Sequence, residues 1–98
     1  MQLRSKESDE DVFAIWLHIA LDNPNAADKL VEKIGNTFDL LEANPLIGKM
    51  AKFKKYPKQQ IRTFPVRKYL IIYSPIEGGI QILRVVHGAM DLESEING

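Results

Sequence analysis

Residues 69–87 read Tyr69-Leu70-Ile71-Ile72-Tyr73-Ser74-Pro75-Ile76-Glu77-Gly78-Gly79-Ile80-Gln81-Ile82-Leu83-Arg84-Val85-Val86-His87, and this stretch decides the fold. Tyr69 to Tyr73 is a short apolar and aromatic run and Ile80 to His87 is a second; both are rich in the β-branched and aromatic side chains that suit a pleated sheet. Between them Ser74 to Gly79 ends in a Gly-Gly pair, which, bounded by such runs, signals a hairpin turn. Upstream, Ile61, Phe64 and Val66 begin the same β-rich region, so the carboxyl half reads as an antiparallel meander. The segment from Leu46 to Gln60 is lysine-rich without clear period, and reads as a basic loop or an irregular strand.

Before residue 46 the period changes from two to three and four. Ser8-Asp9-Glu10-Asp11 offers a Ser N-cap with a carboxylate three residues on, and Val12, Ile15, Trp16 and Ile19 follow at helical spacing. Asp22-Asn23-Pro24 stops the pattern, because proline biases the residue before it away from the helical region; the first helix is expected from about Asp9 to Leu21. Asn25 then reads as an N-cap with Asp28 in the first turn, and Ala27, Leu30, Val31, Ile34, Phe38 and Leu41 carry a longer helix to Glu42 or Ala43, before Asn44-Pro45. Gly35 in its middle costs roughly 1 kcal/mol against Ala unless another element packs close to it. Two amphipathic helices joined by a short link make an antiparallel hairpin. Leu3 is a candidate edge strand, and the tail after Asp91 reads as a helical turn or a disordered end. The order β-α-α-β-β-β defines an α+β fold in which the N-terminal helical hairpin covers one face of a small antiparallel sheet, as one domain over residues 1–98.

Composition narrows the function. The chain has 98 residues, 45% of them hydrophobic, enough for one thin core. It contains no cysteine, which removes disulfides, thiolate metal sites and thiol nucleophiles and fits a reducing cytoplasm. No apolar run approaches the ~18 residues of a membrane span, and the amino terminus lacks the apolar region of a secretion signal. Thirteen basic and thirteen acidic residues cancel, so counterion release offers little drive toward nucleic acid. The charges are uneven, however: Lys49, Lys52, Lys54, Lys55, Lys58, Arg62, Arg67 and Lys68 fall within residues 49–68 with no acid among them. Such a run is either a solvated loop and strand or a partner-facing patch.

Few residues offer chemistry. His18 and His87 are the only imidazoles, so a metal site is not expected. His18 lies off the apolar stripe of the first helix and reads as solvent-facing. His87 ends an apolar strand, where it emerges at the sheet rim and Asp91 is placed to hold it by a hydrogen bond, or simply to close a turn. A metal-free ribonuclease needs a base, an acid and cations for the phosphate. Arg62, Arg67, Lys68 and Arg84, with His87, Tyr69 or Tyr73, are the available groups, yet each has a plainer use. Tyr69 and Tyr73 share a strand face, so they are either both core-side with hydroxyls at its margin, the plainer reading, or both exposed. Arg62 and Arg84 are as well placed for a cluster with Asp91 or Glu93, and Trp16 reads as core. No phosphate-binding glycine loop, nucleophile elbow or carboxylate pair is present.

At this point several stretches line up together. Ile15-Trp16-Leu17-His18-Ile19-Ala20 followed by Asp22-Asn23-Pro24-Asn25-Ala26-Ala27-Asp28 resembles the "IxxYIA…NPxAA" signature of ParE-type toxins, with His18 where Tyr is common. Leu40-Leu41-Glu42-Ala43-Asn44-Pro45-Leu46-Ile47-Gly48 looks like that family's "LxxxPxxG" helix exit. Ile61-Arg62-Thr63-Phe64-Pro65-Val66 with Tyr69 to Tyr73 resembles its "R…V…YLIxY" strands, and Ile82 to Asp91 resembles its closing "ILRVxHGxRD". The resemblance spans about residues 10–92. Met90 departs from it where many relatives carry Arg, and Lys49 replaces the Arg common after the "PxxG" glycine.

This resemblance to the ParE/RelE superfamily implies the toxin half of a toxin–antitoxin pair in the cytoplasm, with no cofactor. It would be neutralised in a hetero-oligomer by a ParD-like antitoxin whose carboxyl-terminal segment wraps the toxin and whose other half makes the only DNA contact. The ParE branch poisons DNA gyrase; the RelE branch cuts mRNA in the ribosome. Zero net charge and the whole-chain signature favour gyrase and a chain that is not an enzyme, with a ribosome-dependent endoribonuclease and a degenerate antitoxin-binding relic as alternatives. Three expectations follow. An amphipathic antitoxin helix seats in apolar surface left by the hairpin and sheet. The target-binding residues are Lys54, Lys55, Lys58, Arg62, Arg67, Arg84, His87 and Asp91, facing outward. No residue is assigned a catalytic role.

Overall fold

The computed structural model describes residues 1–88. In chain order the elements are β1 (Gln2–Arg4), α1 (Lys6–Ala20), α2 (Pro24–Ala43), β2 (Lys49–Ala51), β3 (Ile61–Val66), β4 (Tyr69–Ile76) and β5 (Gly79–His87). They form one five-stranded sheet, ordered β1-β5-β4-β3-β2, with the two helices on one face. The expected order gains a strand, because part of the basic stretch after Leu46 does pair, as β2 against β3. The expected antiparallel sheet is mixed: β1 runs parallel to β5, with Gln2, Leu3 and Arg4 opposite Ile80, Gln81 and Ile82.

Both helix starts fall earlier than the sequence suggests. Ser5, not Ser8, caps α1; its Oγ accepts the Ser8 N–H at 3.0 Å and donates to Leu83 O at 2.7 Å, so one hydroxyl caps the helix and ties it to β5. Asn23, not Asn25, caps α2, accepting the Ala26 N–H at 3.1 Å, and Pro24 opens the helix, where its missing N–H costs nothing. The β4–β5 turn is tighter than the Ser74–Gly79 span. Both strands extend to leave Glu77-Gly78 as the turn, with Gly78 at φ 79°, in the left-handed region.

The core lies on both faces of the sheet. On the helix side Ile15, Ile34, Phe38 and Leu41 pack against Val66, Ile71, Tyr73, Ile80, Ile82 and Val85. Tyr69 and Tyr73 both join this side, as their spacing implies. The opposite face buries Ile61, Ile72, Leu83 and Val86 under Phe53 and Tyr56, the two aromatic residues of the lysine-rich segment. That segment is therefore a lid, with its aromatic side chains turned in. Among the described residues no helix is long and apolar enough to cross a membrane.

Candidate functional site

Three surfaces bring the sequence-derived candidates into view. The first is a groove of about 340 Å³ between the helices, floored by Val12, Ile34 and Phe38 and walled by Phe13, Trp16 and Val31. Its ends carry Arg4 and Asp9. Gly35 opens it: a Cβ there would meet nothing within 4 Å. Among the described residues no element packs on Gly35, and the glycine leaves space in the groove. Trp16, expected in the core, stands here half-buried, with its ring stacked on Phe13 at 6.2 Å and its Nε1–H donated to Asp28 at 2.9 Å. It lies on the flank of α1 that faces α2. Phe13 is 62% exposed and Leu17 and Leu21, one and two turns on, continue an apolar outer ridge.

The second surface is a cavity of about 260 Å³ between α1 and the end of β5, lined by Asp11, Ile15, His18, Tyr69, Arg84 and His87 among others. His87 packs edge-on against Tyr69, with centroids 5.6 Å apart, which follows from their opposition across the β4–β5 ladder. His18 is exposed as expected, yet faces this cavity, so both imidazoles of the chain line it. Arg84 was a candidate for the target-facing surface, with a cluster around Asp91 or Glu93 as its alternative use. Within the described residues it is held by Asp11 on α1, through Nε–Oδ2 at 2.7 Å and Nη2–Oδ1 at 3.1 Å. It is mostly covered, so its charge is directed to Asp11 rather than outward. Asp91 lies outside the described residues.

The third surface is basic. Lys54, Lys55 and Lys58 are exposed on the lid, with Lys55 Nζ 5.9 Å from the Tyr56 ring centre. Burial pushes the Tyr56 phenol above its usual range, against the nearby Arg84 charge. Arg62 and Arg67, expected on the same surface, are elsewhere. Arg62 turns to the helix exit, where it donates to Leu46 O at 3.0 Å and Gly48 O at 2.8 Å. Arg67 occupies the β3–β4 turn at φ 55° and borders a shallow depression with Lys29 and Lys33 of α2. The seven candidates among the described residues thus do not form one patch: the lysines share the lid, Arg84 and His87 share the cavity, Arg67 sits at the β3–β4 turn and Arg62 holds the helix exit.

Sequence reasoning missed Asp11 and Gly48. Tyr73, buried, donates its hydroxyl to Pro45 O at 2.7 Å and accepts the Gly48 N–H at 2.9 Å. A Cβ on Gly48 would fall 2.5 Å from that hydroxyl, which is the physical content of the "PxxG" pattern. Among the described residues no cluster of three or more His, Asp or Glu side chains is set to hold a metal ion.

The family model of the ParE toxin of type II toxin–antitoxin systems, parDE, matches residues 3–92, and the chain belongs to that family. Among solved structures it is similar to a chain of the chromosomal ParDE toxin–antitoxin system from P. aeruginosa, at TM-score 0.72 and 22% identity, over 88% of this chain and 92% of that one. That likeness is one of fold. No match was found among curated proteins.

Proposed function

We propose that this ParE-family toxin acts on DNA gyrase through protein contacts and is neutralised by a ParD-like antitoxin whose amphipathic helix seats between α1 and α2. The observation that carries the antitoxin reading is the groove itself: an apolar trough left unfilled at Gly35, with Phe13 exposed at its lip. The solved relative named for a ParDE system supports a partner of this kind. The gyrase reading rests on family membership and on the cations. Arg62 serves backbone carbonyls and Arg84 serves Asp11, so two of the three arginines that an RNA-cutting site could aim at phosphate are engaged. Induction of the chain alone tests it: gyrase trapped on broken DNA, relieved by co-expression of a ParD-like antitoxin, is the expected result.

One observation favours a ribosome-dependent endoribonuclease: His18, Tyr69, Arg84 and His87 border a single cavity. A programmed ribosome carrying labelled mRNA discriminates. Cleavage by the wild type that is lost in the Tyr69→Phe/His87→Gln variant would replace the gyrase reading.

A further inference from the structure

Four hydrogen bonds converge on the turn Pro45–Gly48. Tyr73 bridges Pro45 O and the Gly48 N–H, and Arg62 donates to Leu46 O and Gly48 O. The turn so fixed carries two aliphatic side chains into solvent, Leu46 at 65% and Ile47 at 47% exposure. Apolar groups held rigid before contact lose little entropy on binding, which is how an anchor for a partner is built.

The chain runs from this turn directly into β2, which among the described residues is the last strand of the sheet on that side, and Met50 in its middle is 62% exposed. A terminal strand offers backbone groups to a further strand. Its length and charge decide which strand is accepted. From Ala43 to Ile76 there is no acidic residue, while Lys49, Lys52 and Lys54 stand on and just after β2. A second copy would bring the same cations to the same edge and be repelled, which is the usual protection of short, lysine-bearing edges. A nucleic acid would satisfy the lysines but leave three aliphatic side chains without the base stacking that single strands require. An acidic peptide with aliphatic side chains satisfies both.

We propose that the β2 edge and its clamped turn form a docking edge for an extended protein segment that alternates acidic and aliphatic side chains and adds as a further strand beside β2. The proposal rests on the reading above that the chain works by protein contacts, and names the chemistry of one segment it contacts.

The test is a ¹⁵N NMR titration of the full chain with a Glu-Val repeat peptide of about eight residues, its Lys-Val counterpart, and a uridine oligonucleotide of similar length. The Glu-Val peptide is expected to shift the amides of Lys49, Met50 and Ala51 and slow their exchange, and the other two probes are not. The exposed Leu46→Ser/Ile47→Ser pair should weaken this binding about tenfold, and Lys49→Glu/Lys52→Glu/Lys54→Glu should transfer preference to the Lys-Val peptide. A silent β2 edge, equal response to both peptides, shifts confined to the α1–α2 groove, or tighter binding of the oligonucleotide would overturn the proposal. Growth arrest and antitoxin capture are scored on the same protein. A chain that arrests growth with a silent β2 edge keeps the toxin reading and loses the docking edge; an inert chain whose edge responds does the reverse.

Discussion

The Asp11 carboxylate grips Arg84 in a two-point ion pair and, through the same Oδ2, accepts the Val85 N–H at 2.9 Å. One side chain of α1 therefore satisfies both the charge and an outward backbone donor of β5, beyond the point where β1 stops covering that strand. The β4–β5 ladder slips by one residue here, with Ile72 opposite Arg84 and Tyr73 opposite Ile82, which lets the arginine leave the sheet for the helix.

Asp11→Ala should consequently cost about 2–4 kcal/mol, because it strands a mostly covered guanidinium and a backbone N–H together. Urea unfolding of Asp11→Ala, Arg84→Ala and the double variant measures the coupling. Additive losses would show that the pair contributes nothing of its own.

Tyr73→Phe removes two of the four hydrogen bonds that converge on the Pro45–Gly48 turn and should destabilise by about 1–3 kcal/mol. It also carries a pH signature. Burial raises the Tyr73 phenol above its ordinary value of 10.0, opposed by the Gly48 N–H and by Arg62. A raised folded value means that the tyrosine's stabilisation is whole below pH 10.0 and is lost as pH climbs through the folded value. Above that point the gap between wild type and Tyr73→Phe should narrow in unfolding curves recorded from neutral to alkaline pH.

Gly35 separates stability from binding. Gly35→Ala should stabilise α2 by up to about 1 kcal/mol, since the added methyl meets no neighbour. Gly35→Leu, filling the trough, should fold as well as wild type yet lose about tenfold or more in affinity for the antitoxin. Calorimetry with the product of the adjacent gene reads both, and undiminished binding by Gly35→Leu would place the partner elsewhere.

Lys54→Glu/Lys55→Glu/Lys58→Glu changes only exposed side chains of the lid, whose hold on the sheet is through Phe53 and Tyr56. Its circular dichroism should match wild type while growth arrest disappears. Persisting arrest in a folded triple variant would make this run a solvated surface.

Where periodicity carries the information, the fold is legible from the residues. The apolar repeat of α1 and α2 and the runs that became β3, β4 and β5 give the hairpin-on-sheet arrangement directly. The caps fell two or three residues off because Ser5 and Ser8, and Asn23 and Asn25, are equally able to cap, and only packing against β5 selects Ser5. β2 shows no alternation in its three residues and exists only because β3 pairs with it. Of the candidate residues, the exposure of the lysines and the rim position of His87 were legible in the sequence, whereas the fate of Arg84 depended on a partner 73 positions away. The contacts of Arg62 were hidden for the same reason: its acceptors are backbone carbonyls, which no side-chain pattern reveals.

The parallel pairing of β1 with β5 has a temporal meaning. Ser5 reaches Leu83 across 78 positions, and Gln2 to Arg4 find their ladder only at Ile80 to Ile82. A ribosome delivers α1 and α2, and with them the interhelical trough, well before that ladder can close. The slow, long-range step thus comes last, and the interhelical trough, the antitoxin seat proposed above, stands open on a nascent chain that has yet to complete the sheet.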